Sequence, residues 1–386
     1  MEDHQRLTFI EASCVVAGFS IGGAVMAVPY LAALSNPLSF VAIMITAFVI
    51  SVTFHLMIAE MLIRDSSSHQ LVEVFANYCF RGKFSKLIWV VFILIYVGCM
   101  TNLTAYISGG GEILKDLLGV PAWGGYTIIY IVAASVVLFE LKAIAVSEKY
   151  ALLVIAIILG VLAVASLNSP IQPNWKNSGG APESLALFSM LMFCFTAPFS
   201  IQQVTSGLHW NKKLIPKAIV TGFVFNLVLV TVITFCAVNV SHEITAVAIT
   251  GWGKALSPWA LRIGSVLILL AMLTTYWALS FALVVIIQER TGISNRVAWL
   301  VATLPSFLAA ITGITDFIGF LRLTTAASGF LVALSIVPTL RGVMKHGDVE
   351  KPVFSFALFK NAYFQGVIVI ILFLMAVGAL VPINKI

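Results

Sequence analysis

The chain has 386 residues, of which 60% are hydrophobic and only 10% are charged. A water-soluble globular domain has an apolar share of about 45–50%, so this composition excludes a soluble globule and predicts an integral membrane protein. The formal net charge of +6 comes from basic residues in short loops rather than on one continuous face, which argues against a nucleic-acid partner.

Eleven apolar runs, most of them 17 to 30 residues long, follow one another along the chain, and a membrane-spanning helix needs about 20 such residues. They occupy residues 9–33, 38–63, 84–108, 122–140, 147–167, 184–208, 214–238, 258–288, 297–313, 316–339 and 362–382. The stretches between them are too short to enclose a soluble core. The sequence therefore predicts an all-α integral membrane protein with about eleven transmembrane helices, in a single domain over residues 1–386.

The basic residues in the loops predict the orientation, because Lys and Arg concentrate on the cytoplasmic side of a membrane protein. With the N-terminus inside, sixteen of the 22 Lys and Arg residues fall in inner loops and five in outer ones. We therefore expect a protein of the plasma membrane or inner membrane with a cytoplasmic N-terminus. An odd number of spans then leaves the C-terminus outside.

Two of the spans carry a helix-breaking sequence near mid-membrane depth. Span 1 is interrupted by glycines and a serine over residues 18–23, and span 6 by Phe-Thr-Ala-Pro-Phe-Ser over residues 195–200. Unpaired backbone at that depth survives only where it lines a protein-enclosed cavity. The first ten spans divide into two sets of five that each begin with an interrupted span. This predicts inverted repeats at about 8–167 and 183–340, as in secondary transporters, and a peripheral helix at about 362–382.

The break in span 1 offers both kinds of helix end to a solute. The N–H groups at the start of its outer half favour a carboxylate. These groups belong to Gly22, Gly23 and Ala24. The carbonyl groups on the other side of the break favour a cation or an ammonium group. They lie near Ala17, Gly18 and Ser20. We therefore expect a zwitterionic solute, with Thr196 and Ser200 adding hydroxyls in span 6, although capping of the local break also explains those two hydroxyls.

Span 3 ends in the run Ala-Tyr-Ile-Ser-Gly-Gly-Gly at residues 105–111, which is followed by Glu112. Small residues let helices approach closely, so packing alone explains the glycines. Tyr106, in contrast, lies about five residues inside the end of the span, deeper than an interfacial anchor. We interpret Tyr106 as a phenol that faces the cavity.

Four stretches together resemble the hydroxy and aromatic amino-acid permease family, which belongs to the amino acid/auxin permease branch of the APC superfamily and has the LeuT-type fold. They are the run at 105–111, the glycine-rich first span ending in Pro29-Tyr30, Thr274-Thr275-Tyr276-Trp277 in span 8, and residues 193–203 in span 6. The resemblance implies a 5+5 inverted repeat with discontinuous helices 1 and 6 plus an eleventh helix. It also implies cation-driven uptake of an amino acid, often tryptophan or tyrosine, by alternating access.

The resemblance further assigns residues to a binding site. The two breaks would hold the amino and carboxyl groups of the substrate, and Tyr106 would close over them. The residues concerned are Ser20, Gly22, Gly23, Ala24, Phe195, Thr196, Ala197 and Phe199. Thr274 and Thr275 match a hydroxyl pair that, in sodium-coupled relatives, completes a cation site with carbonyls of span 1, here at Ala17, Gly18 and Ser20. Hydrogen bonding within their own helix is the alternative explanation for the two threonines.

Both Na⁺ and H⁺ are candidates for the coupling ion, and no other cofactor is expected. Family members commonly have a histidine in span 6 where this chain has Pro198, and a proline cannot carry a proton. The middle of span 5, residues 151–165, holds no lysine that could substitute for a sodium ion. Both features favour sodium at the cation site.

Few ionisable residues lie near membrane depth, and residues of this kind are functional candidates. Glu11, His55 and Glu60 lie toward the inner ends of spans 1 and 2, where they either form an inner gate or reach the interface. Asp316 and Arg322, at the outer part of span 10, are candidates for an outer gate with Glu112.

These features predict a secondary active, cation-coupled symporter for an aromatic or other neutral amino acid, with that small molecule and the membrane lipid as its partners. The alternative is a membrane receptor or sensor of the same fold that binds an amino acid without moving it across the membrane. No Walker-type run, nucleophile triad or metal motif stands out, so the sequence does not indicate an enzyme.

Overall fold

In a computed structural model, the chain is described over residues 6–65, 71–79, 86–138, 141–245, 247–314 and 317–382, with the backbone alone described at 116 and 141–143. Fifteen α-helices run through these parts of the chain, and no strand occurs in them. The helices are α1 (Phe9–Ile21), α2 (Ala24–Ala32), α3 (Pro37–Arg64), α4 (Leu71–Tyr78), α5 (Leu87–Leu118), α6 (Ala122–Val136), α7 (Leu141–Leu167), α8 (Ala181–Cys194), α9 (Pro198–Gly207), α10 (Ile215–Val240), α11 (Ala248–Leu256), α12 (Pro258–Thr291), α13 (Asn295–Thr312), α14 (Phe317–His346) and α15 (Ala362–Leu380). Short 3₁₀ turns lie at His209–Leu214 and Ala357–Lys360.

Local sequence explains several of the helix boundaries. Thr8 and Glu11 form a capping box at the start of α1, because the Glu11 N–H donates to Thr8 Oγ1 at 3.3 Å and Glu11 Oε2 accepts from the Thr8 N–H at 2.9 Å. Asn36 caps α3 by accepting from the Ser39 N–H at 2.8 Å. Left-handed glycines, which carry no β-carbon to oppose that conformation, follow the ends of α5, α12 and α13, namely Gly119, Gly292 and Gly313.

In the described part of the chain, nine helical segments are long and apolar enough to cross a membrane, with α8 and α9 taken as one segment, and the bent pair of α1 and α2 makes a tenth. Helix α6, predicted as a span over 122–140, has 15 residues, and residues 139–140 lie outside the described part. Helices α4 and α11 are short and lie where the sequence predicts loops. The predicted all-helical membrane architecture is confirmed at this level.

The first interrupted helix lies at the centre of the bundle. Helix α1 packs against α7, α9, α10 and α12, and residues 15–21 are all buried. Helix α2 packs against α8 and α10. A helix that is apolar on every side, as α1 is after its first turn, is stable in this position because it has a neighbour on each face.

The last helix, α15, runs along α14 and α8. The Ser189 hydroxyl of α8 donates to the Met375 carbonyl of α15 at 2.6 Å, which ties the two helices together. The opposite face of α15 exposes large apolar side chains, including Ile370 and Phe373. Helix α15 is therefore packed on one side of the bundle and apolar on its outer side.

Candidate functional site

The break between α1 and α2 is held open by glycine. The two helices meet at 53°, and Gly22 and Gly23 form the turn between them. A β-carbon added to Gly22 would lie 2.5 Å from Tyr106 Oη and 3.1 Å from Thr275 Oγ1, and one added to Gly23 would collide with the Phe317 ring. Glycine at both positions is therefore what allows α5, α12 and α14 to approach the break.

Thr275 of α12 joins the two sides of this break. Its hydroxyl accepts a hydrogen bond from the Gly22 N–H at 3.0 Å and donates to the Gly18 carbonyl at 3.0 Å. The Gly22 N–H, which the sequence predicts to be free for a carboxylate, is thus bonded to the protein in this structure. The physical reason is that an unpaired N–H buried at this depth is costly, and α12 supplies an acceptor.

The other predicted cation-site residues bond mainly within their own helices. The Thr274 hydroxyl donates to the Ala271 carbonyl at 2.9 Å, inside α12. The Ser20 hydroxyl donates to the carbonyls of Val16 and Ala17, at 2.8 and 3.2 Å. The structure therefore brings Gly18 and Thr275 into direct contact, while Thr274 and Ser20 complete the bonding of α12 and α1.

The second break, at residues 195–197 between α8 and α9, is held by two neighbouring helices. His55 of α3 is fully buried, and its Nε2 accepts from the Ala197 N–H at 2.8 Å while its Nδ1 lies 2.6 Å from the Ser51 carbonyl. This pairing requires the proton on Nδ1. Asn226 of α10 donates to the Cys194 carbonyl at 2.6 Å. His55, predicted as a gate or an interfacial residue, instead satisfies the backbone of the break.

A cavity lies between the two breaks, with about 790 Å³ of space free of protein atoms, including space open to solvent. Ser20 and Gly22 line it from the first break, Thr196 and Phe199 from the second, and Tyr106 from α5. No Asp, Glu, Lys or Arg belongs to its described lining. The cavity is therefore apolar, with a few hydroxyl and amide groups, as small-molecule sites usually are.

Some of the residues predicted to bind the substrate line the cavity, and the others are buried between the helices that surround it. Ala24 also lines the cavity, whereas Gly23 lies under Phe317. Phe195 is fully buried and contacts the Phe48 ring edge-on at 5.7 Å. Ala197 is fully buried beside His55, to which its N–H donates.

Sequence reasoning missed two walls of the cavity. Helix α14 contributes Thr324 and Ser328, and the short helix α4 contributes Leu71 and Phe75. Asn102, one turn before Tyr106, also lines the cavity, and its Oδ1 has no hydrogen-bond partner among the described residues. Thr324 and Ser328 are four residues apart, which is the spacing of residues on one face of a helix. That spacing is the sequence signal that predicts a shared polar face on α14.

Glu148 of α7 is a second feature that was not predicted from the sequence. It is fully buried, and a β-carbon added to Gly18 would lie 3.3 Å from its Cδ. The sequence places it beside Lys149 at the start of an apolar run, where it resembles an interfacial charge. The buried positions of α7 recur at Ile144, Leu152 and Ile155, and Glu148 falls on the same helical face.

Glu11, Glu112 and Arg322, which the sequence predicts as gating residues, lie away from the cavity lining. Glu11 belongs to the capping box of α1. Glu112 accepts from Tyr126 Oη at 2.7 Å and from Lys115 Nζ at 3.1 Å, which joins α5 to α6. Arg322 Nε donates to the Ala379 carbonyl at 2.8 Å at the end of α15. Asp316 lies outside the described residues.

No group of three or more His, Cys, Asp and Glu side chains that could hold a metal ion occurs in the described ranges. The bonding at the first break instead offers oxygen atoms, from the Gly18 carbonyl, the Thr275 hydroxyl and the Glu148 carboxyl. Oxygen atoms of these kinds are the ligands that small hard cations prefer.

Comparison with known proteins gives a family and a fold. A sequence model of the tryptophan/tyrosine permease family matches residues 5–250, and no curated protein matches the chain. Three solved structures of the manganese transporter of Eremococcus coleocola are similar: a histidine-to-alanine variant at 13% identity, a glutamate-to-glutamine variant at 14% and a glutamate-to-alanine variant at 13%. Each alignment covers 96% of this chain and 85% of the other, with a TM-score of 0.66.

Proposed function

The chain belongs to the tryptophan/tyrosine permease family, a family of transporters rather than enzymes, and from this premise we propose that it is a secondary active symporter for an aromatic amino acid. A cation gradient drives the uptake. The single observation that carries the proposal is the cavity between the two helix breaks, and we assign the substrate to it.

The chemistry of the cavity supports a zwitterion. A substrate with a net charge would need an opposite charge, and the described lining has no ionised side chain. The unpaired Asn102 Oδ1 can accept a hydrogen bond from an ammonium group, and the N-terminal end of α9, beginning at Pro198, has the polarity that favours a carboxylate.

The apolar walls support an aromatic side chain. Phe19 and Phe199 lie with ring centroids 6.4 Å apart on the two broken helices, and Phe75, Phe193 and Tyr106 complete an aromatic lining. An indole or phenol ring gains from offset or edge-to-face contact with such rings. Tryptophan and tyrosine, which give the family its name, are therefore the first substrates to test.

We further propose the LeuT-type architecture, with α6 as the fourth of eleven spans and α15 as the peripheral eleventh. The helices from α1 to α7 form one five-span repeat, and those from α8 to α14 form its inverted counterpart. With a cytoplasmic N-terminus, α4 lies on the cytoplasmic side, and Leu71 and Phe75 cover the cavity on that side. Access alternates as the broken helices move against the rest of the bundle.

A receptor that binds the amino acid without moving it would use the same cavity. Uptake of labelled tryptophan and tyrosine into proteoliposomes distinguishes the two functions. A symporter accumulates label only under an inward cation gradient, and protein-free vesicles give the background. Saturable binding to purified protein without gradient-dependent accumulation would support the receptor and contradict the symporter.

A further inference from the structure

Thr324 and Ser328 of α14 are polar residues in a part of the cavity lining that is otherwise mostly apolar. Helix α14 meets the first break at Phe317, whose ring lies against Gly23. Thr324 lies about two helical turns and Ser328 about three turns further along α14. The residues that line the cavity beside them on α14 and α4 are Ala327, Leu331, Val332, Leu71 and Phe75. The two hydroxyls thus lie away from the first break, among apolar side chains.

The hydrogens of these hydroxyls are already used within the protein. The Ser328 hydroxyl donates to the Thr324 carbonyl at 2.7 Å. The Thr324 hydroxyl donates to the Phe320 carbonyl at 2.9 Å. It also lies 2.8 Å from the Thr101 hydroxyl, which is itself 2.9 Å from the Gly98 carbonyl. Since each hydroxyl has one hydrogen and two lone pairs, these contacts leave lone pairs rather than hydrogens for a substrate.

A wall that only accepts hydrogen bonds discriminates between aromatic rings. An indole N–H or a phenol O–H can donate to an oxygen of Thr324 or Ser328, whereas a phenyl ring has no hydrogen of that kind. A substrate carboxylate accepts hydrogen bonds and does not donate them, so it gains nothing from these two oxygens. The ring end of an aromatic amino acid is therefore the end that suits α14.

The position of the hydroxyls fits the length of an aromatic side chain. Under the proposed function, the ammonium group of the substrate donates to Asn102 Oδ1, which has no partner among the described residues. Gly98 lies about one turn before Asn102 on α5, and a β-carbon added to Gly98 would lie 3.9 Å from Ala327 Cβ, next to Ser328 in the chain. The acceptors for the two ends of the substrate are thus offset by about 5.4 Å, one helical turn, which an indole or phenol side chain spans.

We propose that Thr324 and Ser328 form a ring-recognition subsite, which selects aromatic amino acids whose ring carries a hydrogen-bond donor. The inference rests on the proposed function and deepens it by assigning the discrimination between rings to α14. The aromatic side chains of the lining pack against indole, phenol and phenyl rings alike, so they do not distinguish among these rings. The two hydroxyls do, because a ring without a donor excludes water and leaves their oxygens unpaired.

Two other residues of α14 provide matched controls, because hydroxyls in apolar helices often bond to the carbonyl four residues earlier without any substrate. The Thr325 hydroxyl donates to the Leu321 carbonyl at 2.7 Å. The Ser335 hydroxyl donates to the Leu331 carbonyl, also at 2.7 Å. Neither Thr325 nor Ser335 belongs to the described lining of the cavity. Each therefore makes the same bond within the helix as its counterpart in the ring-recognition subsite and lacks only the contact with the cavity.

The test measures competition for the binding of labelled tryptophan to purified protein in detergent, so that the result does not depend on transport. The competitors form two pairs: tryptophan with its benzothiophene analogue, in which sulfur replaces the ring N–H, and tyrosine with phenylalanine. Each pair gives a preference, the ratio of the two inhibition constants. The proteins are wild type, Thr324→Val, Ser328→Ala, the combined variant, and the controls Thr325→Val and Ser335→Ala. Thermal unfolding of each protein checks that it is folded.

We expect wild type and both controls to prefer tryptophan over its analogue, and tyrosine over phenylalanine, by about three- to tenfold, the range of one hydrogen bond between neutral groups. Each single variant should weaken at least one preference. The combined variant should bring both preferences to within about twofold, mainly because tryptophan and tyrosine bind more weakly while phenylalanine and the analogue bind as before. A merely structural role of the hydroxyls would weaken all four competitors together.

Two results would overturn the inference alone: equal binding of the members of each pair by wild type, or a combined variant that keeps either preference above about twofold. Loss of all tryptophan binding in both single variants would also count against it, because one hydrogen bond to the ring changes binding by only about tenfold. Tryptophan binding without gradient-driven accumulation would contradict symport and leave the ring-recognition subsite standing. Binding of neither tryptophan nor tyrosine by wild type would overturn the proposed substrate and the inference with it.

Discussion

At the scale of single residues, the first break depends on a glycine and a threonine that fit each other. Gly22 leaves room for Tyr106 and Thr275 to reach the backbone, and Thr275 satisfies an N–H on one side of the break and a carbonyl on the other. A discontinuous helix in an apolar bundle is stable because these partners replace the hydrogen bonds that the helix gives up.

Gly22→Ala should abolish most transport without unfolding the protein. The added methyl group must displace Tyr106 or Thr275, at a cost of about 1–3 kcal/mol, and each 1.4 kcal/mol reduces the competent population about tenfold. Tryptophan uptake is the measurement. The control is Gly160→Ala on α7, where a β-carbon meets nothing within 4 Å, and that variant should transport normally. Normal uptake by Gly22→Ala would show that the close approach is not needed.

Thr275→Ala should be more damaging than Thr274→Ala. The first leaves a buried N–H and a buried carbonyl without their partner, which costs about 1–3 kcal/mol, while the second loses one bond within α12. Thermal unfolding in detergent and tryptophan uptake measure the difference. Thr275→Ser keeps the hydroxyl and should restore most of both. Equal effects of the two alanine substitutions would mean that Thr275 has no special role at the break.

At the scale of elements, the two broken helices, α5, α14 and the short helix α4 enclose the cavity. Helix α4 is tied to the end of α12 by Glu73 and Arg290, whose charged atoms are 3.3 Å apart, and the Arg290 guanidinium also lies 4.9 Å from the centre of the Trp89 ring. Leu71 and Phe75, on the same short helix, face the cavity. Helix α4 is therefore placed to open or close it.

Glu73→Gln and Arg290→Gln should have non-additive effects on tryptophan exchange. The pair is partly exposed, so its coupling is about 0.5–1 kcal/mol, and the double variant should be little worse than either single one. Exchange rates of the four proteins give the coupling free energy. Additive effects would show that the two residues do not act together on α4.

Much of this element-scale organisation was predictable from sequence. The long apolar runs predict the membrane-length helices, and the glycine- and proline-containing segments predict both breaks, because backbone conformation is a local property. The partners of the breaks were not predictable. His55 and Glu148 are far in sequence from the atoms they contact, and each resembles an interfacial residue until the helix packing is known.

At the scale of the whole molecule, the bundle surrounds the first interrupted helix with apolar neighbours, and buried polar side chains such as Thr275 and His55 bond to the backbone at the two breaks. Sequence identity of 13–14% to the solved manganese transporter structures accompanies a TM-score of 0.66 over 96% of the chain. The arrangement therefore tolerates near-complete change of sequence, provided that helix lengths and apolar faces are kept. Under the proposed function, the substrate depends on the residues that line the cavity.

The most direct test of the central claim is concentrative uptake by the purified protein in proteoliposomes. Labelled tryptophan should reach a higher concentration inside than outside under an inward cation gradient, and the excess should leave when an ionophore collapses that gradient. Unlabelled tyrosine should compete. Binding of tryptophan with an inside concentration that never exceeds the outside one would contradict the account.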